Sequence, residues 1–212
     1  MNSRTLLLTS ILFLGITFQN CSESDCPCCD GSIGIDTSPF FDIQGTETAH
    51  FNQNFGLVET DQIAFEEYGF INLRFLVDYV ATHHNPNRQH SFSLINSAYA
   101  CSYIGPGLEG SKEESIVSLQ VITINDFDND HRSGDSINDL LELDTTTFPL
   151  ATSGILPLEE FLISSTDNVP SENFFMRLLN RPTLNNEFQV RIEVSLSTGE
   201  RYETTSPVIE FL

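Results

Sequence analysis

The sequence predicts a mainly β chain: an antiparallel β-sandwich, immunoglobulin-like or jelly-roll, carrying one or two short helices. Three observations predict it. Apolar and polar residues alternate at period two through several segments, those segments are short and set apart by polar turns, and helical periodicity is confined to two brief stretches. No internal repeat is present, which argues against a propeller or solenoid.

Residues 1–20 form a signal peptide, 21–38 a tether rich in Ser, Asp, Gly and Cys, and 39–212 the β domain, whose first apolar run is Phe40-Phe41-Asp42-Ile43. Leu73, Phe75, Val77 and Tyr79 alternate with Asn72, Arg74 and Asp78, as in a strand with one wet face. Phe92, Leu94 and Ile95 open another extended piece. Ile116 to Ile124 is β-branched and apolar on both faces at its far end, which predicts a central strand. Short helices are expected at Ser136–Leu143 and at Pro157–Leu162, where Pro157 suits a first helical position and Leu158, Phe161 and Leu162 share a face. Phe188, Val190, Ile192, Val194 and Leu196 face one way and Gln189, Arg191, Glu193 and Ser195 the other. Ser197-Thr198-Gly199-Glu200 then turns the chain, Arg201–Thr205 returns as the partner strand, and Val208–Phe211 is the last strand after Pro207.

Seventeen Phe, with many Val, Ile and Leu, supply a core of ordinary size, and Trp is absent. Thirty acidic against nine basic residues leave a formal net charge of −21. Such a charge repels phosphates, so no nucleic-acid partner is expected. It keeps an exported domain soluble, or attracts cations and basic partners.

The chain's address is written at its start. Arg4 precedes an apolar run from Leu6 to Ile16 that is too short to cross a bilayer, which needs roughly 20 apolar residues. Ile16-Thr17-Phe18-Gln19-Asn20-Cys21 then resembles a lipoprotein signal-peptidase site of the looser Bacteroidota type, with Phe18, Gln19 and Asn20 departing from the usual pattern. On this reading Cys21 is acylated, becomes the first mature residue and holds the chain to the lipid bilayer; on the simpler one the chain is secreted and Cys21 is one more thiol. Ser22-Glu23-Ser24-Asp25 resembles a surface-export tag, so the expected location is the cell envelope, at the outer membrane and surface-exposed. Cys26, Cys28, Cys29 and Cys101 make an even set in an oxidising compartment, and one bridge from the N-terminal cluster to Cys101 would staple tether to domain. Spacing does not choose the pairing, and Cys-Pro-Cys-Cys lacks the two separated pairs of a zinc ribbon.

Ser93-Leu94-Ile95-Asn96-Ser97-Ala98-Tyr99-Ala100-Cys101, Gly110-Ser111-Lys112-Glu113 and Ile122-Thr123-Ile124-Asn125-Asp126-Phe127-Asp128 resemble an uncharacterised lipoprotein family of Bacteroidota-type bacteria. The resemblance runs from about residue 40 to the end. It is to a domain of unknown function, so it implies the same address and transfers no activity and no site residues.

The chemical candidate is Asn125-Asp126-Phe127-Asp128-Asn129-Asp130-His131-Arg132-Ser133-Gly134-Asp135. Calcium takes six to eight oxygens, and Asp126, Asp128 and Asp130 stand where an EF-hand puts its first three ligands. The match then breaks: His131 stands where Gly is needed and Ile137 where the bidentate Glu belongs. A non-EF calcium loop would use Asp126, Asp128, Asp130 and Asp135; the simpler reading is a solvated acidic turn in which Asp135 or Ser136 caps a helix. His83, His84 and His90 read as a polar hairpin loop, because adjacent histidines on a strand point to opposite faces. Gly105–Lys112 has its Ser before its Lys and leads into a strand, so no nucleotide is expected. No Gly-x-Ser-x-Gly elbow is present. Apart from calcium, no cofactor is expected. The reading that follows is a non-catalytic binding or accessory module with a protein or glycan partner; the alternative is a hydrolase of envelope or extracellular polysaccharide or peptide, acting through paired carboxylates.

Overall fold

The computed structural model describes residues 38–80, 106–149, 154–164 and 167–212, all within one unit of the chain, residues 37–86 and 104–212. The signal peptide, Cys21, the four disulfide candidates, His83, His84, His90 and the strand expected from Phe92 lie outside the described residues.

Twelve strands and one helix are seen among these residues. Strand β1 (Phe40–Asn52) pairs antiparallel with β3 (Tyr68–Val80) over nearly its whole length. This pair anchors a six-stranded sheet in the order β4-β1-β3-β8-β6-β7, with β4 at Gly110–Ser111, β6 at Leu141–Asp144, β7 at Ile155–Pro157 and β8 at Asn173–Leu178. Strand β5 (Ile116–Thr123), β10 (Val190–Leu196) and β11 (Arg201–Thr205) make a second sheet, ordered β11-β10-β5. Strand β2 (Gln62–Ile63), β9 (Glu187–Phe188) and β12 (Ile209–Phe211) make a third, ordered β2-β12-β9. All pairings are antiparallel except the short β1–β4 and β2–β12 contacts. The fold is therefore mainly β and layered, as the alternation predicted.

The period-two code explains the layering. Ile71, Leu73 and Phe75 of β3 point to one side with Phe174 and Met176 of β8 and Leu141 and Leu143 of β6, all essentially inaccessible to solvent. Opposite them lie Val190, Ile192, Val194 and Leu196 of β10 with Leu119 and Val121 of β5. Phe188 and Phe211 join the same hydrophobic cluster from the third sheet. The β10–β11 turn forms as expected, with Gly199 at φ 103°, a backbone region costly for any side chain. Strand β5 is buried on both faces from Val121 to Thr123, but it is the edge of its sheet and not the central strand expected: the Gly134–Ile137 backbone covers its outer side, through Thr123 N to Asp135 O (3.0 Å) and Ile137 N to Val121 O (2.8 Å).

Two further expectations need correction. Ser136–Leu143 is not a helix: a single 3-10 turn at Asn138–Leu140 leads into β6. Tertiary pairing wins there, because Leu141 and Leu143 bury alternately in the sheet, and the Asn138 side chain binds the β5 backbone at Val121 N (2.8 Å) and Leu119 O (2.7 Å). The second helix, α1, spans Leu158–Ile163 with Pro157 as its N-cap rather than its first residue. Leu158 and Phe161 are buried, and Phe161 meets Phe174 edge-on at 5.5 Å.

Candidate functional site

At the end of β1 the chain makes a tight loop organised by one amide. Asn52 Oδ1 accepts from the backbone N–H of Asn54 and of Gly56, both at 2.9 Å, while Asn52 N donates to Gly56 O at 2.8 Å. Closing the loop this way holds Phe55 at φ 58°, a left-handed conformation that bulky residues seldom adopt. The strain is offset by packing: the Phe55 ring stacks on Phe70 at 4.8 Å and meets Phe175 edge-on at 5.2 Å. Phe51, Phe70 and Phe175 sit on the face of the main sheet that turns away from the core, and Phe55 covers them while remaining 45% exposed. Strand alternation dictates that placement, since Phe70 and Phe175 are out of phase with the core residues Ile71, Phe174 and Met176.

Beside this aromatic face opens a cavity of about 580 Å³ lined by Gln53, Phe65, Glu66, Tyr68, Gly69, Phe70, Arg177 and Leu178. Its walls are the Asn52–Gly56 loop and the turn before β3, clamped together by Gln53 N to Glu67 O (3.1 Å) and Gln53 Nε2 to Glu66 O (2.6 Å). Phe70 and Leu178 are buried floor, whereas Gln53, Glu66 and Arg177 are exposed. The Arg177 guanidinium lies over the Phe70 ring, 5.9 Å from its centroid, an arrangement that contributes roughly 0.5–1 kcal/mol at an exposed site. Glu142 stands opposite Arg177 across the β6–β8 pairing, yet no carboxylate comes within ion-pair distance of Arg177 among the described residues.

Behind the cavity floor a polar pair is buried. His50 Nε2 lies 2.9 Å from Pro207 O, which can only accept, so Nε2 carries the proton and the Tyr68 hydroxyl donates to Nδ1 at 2.9 Å. Burial pushes the imidazole down to about 4 against the weaker opposing pull of the Pro207 carbonyl, and it pushes the Tyr68 phenol well above its ordinary value. His50 is thus a neutral structural histidine at pH 7.

The acidic loop predicted from sequence follows β5 and holds itself together. Asp128 Oδ1 accepts from Asp130 N (2.9 Å), His131 N (2.8 Å) and His131 Nδ1 (2.9 Å), and His131 Nε2 reaches Asp139 Oδ2 at 3.2 Å. Asp126 Oδ1 accepts from Ser133 N (3.0 Å) and Asp135 Oδ2 from Arg132 N (2.8 Å), so Asp135 closes the loop and does not cap the 3-10 turn. Arg132 Nη1 stands 3.5 Å from Asp126. Asp126, Asp128 and Asp135 therefore engage separate backbone N–H groups. No three His, Cys, Asp or Glu side chains are grouped to hold a metal ion among the described residues.

Partial desolvation raises the Asp128 carboxyl, but the hydrogen bonds from His131 and Asp130 outweigh it and leave it below its ordinary value. Desolvation likewise lowers His131, and the Asp128 hydrogen bond with the Asp139 and Asp128 charges outweighs it, leaving the ring above its ordinary value. The first shift stabilises the fold above the unfolded carboxyl value of 3.8, the second below the unfolded imidazole value of 6.5. Asp128→Ala should lower the melting temperature most between those two values and less at alkaline pH, where His131 is neutral. A penalty that is flat from pH 4 to 9 counts against the pair.

Unlike the acidic loop, Arg177, Glu66, Gln53 and His50 stand in no sequence motif that points to a site. The one local signal near the cavity wall is the Asn52…Gly56 spacing, a turn signature.

No helix among the described residues is long and apolar enough to cross a membrane. No curated protein and no solved structure matches the chain. A family model does match residues 56–207, which take in β2 to β11, the acidic loop and the cavity lining apart from Gln53. The chain accordingly belongs to that family, a domain of unknown function (DUF5034).

Proposed function

We propose that this protein is an exported lipoprotein of the cell envelope, held at the outer membrane and exposed at its surface by acyl chains on Cys21, whose β domain is a non-catalytic binding module for a protein or glycan partner. The observation that carries the binding role is the cavity beside Arg177: a preformed concave site with an apolar floor, a few exposed polar groups and a half-exposed aromatic face at its rim. Its lining includes one carboxylate, Glu66, whereas glycoside hydrolysis employs a facing pair, which favours recognition over the hydrolase reading. The signal-peptide pattern, with Cys21 directly after it, supports the anchor.

Cys21→Ala should move the protein from the membrane fraction to the soluble fraction on cell breakage, and retention in the membrane would overturn the anchor. Incubating the purified protein with envelope polysaccharide and peptidoglycan should release no soluble fragments. Steady release of products would replace the binding role with the hydrolase.

A further inference from the structure

We infer that the cavity beside Arg177 binds a short zwitterionic peptide with an apolar side chain. The inference rests on the reading of this cavity as the binding site and adds the chemistry of its ligand.

The lining presents two opposite charges and one apolar surface. The Arg177 guanidinium makes no ion pair among the described residues and keeps its donor fork for a carboxylate, which it grips in a planar, two-bond geometry. The Glu66 carboxylate likewise has no hydrogen-bond or ion-pair partner among the described residues; only its backbone carbonyl is used, by Gln53. Gln53 spends its Nε2 on that carbonyl, which leaves its Oε1 as a second acceptor at the rim. Phe65, Phe70 and Leu178 supply an apolar floor. A ligand matching all three features carries a carboxylate for Arg177, an ammonium for Glu66 and Gln53, and an apolar group for the floor. A free-ended peptide of two or three residues does so, and a cavity of about 580 Å³ is of the size that encloses a small ligand.

Net charge points the same way. A formal charge of −21 repels polyanions and draws polycations to the whole surface, whereas a ligand with no net charge is selected by local groups alone. An uncharged sugar engages neither Arg177 nor Glu66 by charge.

The test uses the mature chain, isotopically labelled, titrated with the dipeptide Leu-Phe, its N-acetyl form and its C-terminal amide, with cellobiose as the glycan probe. Leu-Phe should shift the resonances of Gln53, Glu66, Gly69 and Arg177, and blocking either end should weaken binding about tenfold or more, as loss of a charge-assisted contact does. Arg177→Gln should abolish the preference for acid over amide while leaving the penalty for acetylation; Glu66→Gln should do the reverse. Unchanged spectra elsewhere show that each variant is folded. Equal binding of blocked and free dipeptide, or cavity shifts with cellobiose alone, would overturn the zwitterion and leave the cavity as a binding site. Cavity resonances that no probe moves would overturn the ligand class and count against the cavity reading as well.

Discussion

Lowering the pH from 7 to 4 should cost the fold about 3 kcal/mol through His50 alone, because the buried ring titrates near 4 when folded and at about 6.5 when unfolded. Protonation would place a cation beside Tyr68 and Phe188, whose ring centroids lie 5.7 and 6.0 Å away, with Nδ1 no longer able to accept the Tyr68 hydroxyl. Between the two values the unfolded chain binds the extra proton. The contribution of His50 is therefore complete above 6.5, shrinks as pH falls, and is spent near 4. His50→Gln, neutral at every pH, should be less stable than the wild type at pH 7 and should lose about one proton's worth of the slope between pH 6.5 and 4, so that the two curves converge in acid. Urea midpoints at pH 7, 5.5 and 4 measure this, and carboxylates titrating in the same range cancel in the comparison. Parallel losses in the two proteins would show that His50 does not control the acid limb. His131 works in the opposite sense, its contribution fading as pH rises through its elevated value, so maximal stability is expected between the two titrations.

The second large effect is expected at Gly69. The β1–β3 register shifts between Phe51, which pairs with Phe70, and Asn52, which pairs with Tyr68, so Gly69 is the extra residue of a bulge in β3 and lies directly against the Asn52–Gln53 backbone. A Cβ there would stand 2.5 Å from both C and O of Asn52 and 2.7 Å from Gln53 N. All three are backbone atoms, so relief requires the hairpin to open rather than a side chain to rotate. Gly69→Ala should cost about 3 kcal/mol, the upper end for overpacking a close contact, and lower the melting temperature by about 10 °C. Gly154→Ala is the control: it meets nothing within 4 Å and should change stability little. The cavity should suffer with the fold, because Gln53 and Phe55 hang from the backbone that must move. A Gly69→Ala protein as stable as the control variant would mean that the hairpin accommodates the methyl without strain.

How far the sequence speaks differs between neighbouring elements. β10 is legible because every residue from Val190 to Leu196 keeps strict alternation, and burial follows it position by position. The start of β3 is not, because Tyr68 to Leu73 are all buried: one face meets the core and the other lies under the phenylalanine cluster, so alternation disappears where two layers cover a strand. The stretch before β6 misled for a related reason. Asn138-Asp139-Leu140 makes one helical turn locally, but partners distant in sequence, Met176 and Leu156, claim Leu143 for a sheet.

The sequence by itself determined the mainly β class, the strand at β5, the β10–β11 hairpin and its glycine turn, and the strongly acidic charge, since each depends on residues close along the chain or on composition alone. The tertiary structure decided which carboxylates of the acidic loop are tied to backbone N–H groups, that His50 is buried neutral, and that Gln53, Glu66 and Arg177 share one cavity. Arg177 is separated from Gln53 by most of the domain, and only the β3–β8 pairing brings Arg177 to Phe70 and the hairpin bulge brings Gln53 to Gly69. Long-range strand register has no local signature, so a site assembled by it becomes visible only when the sheet is built.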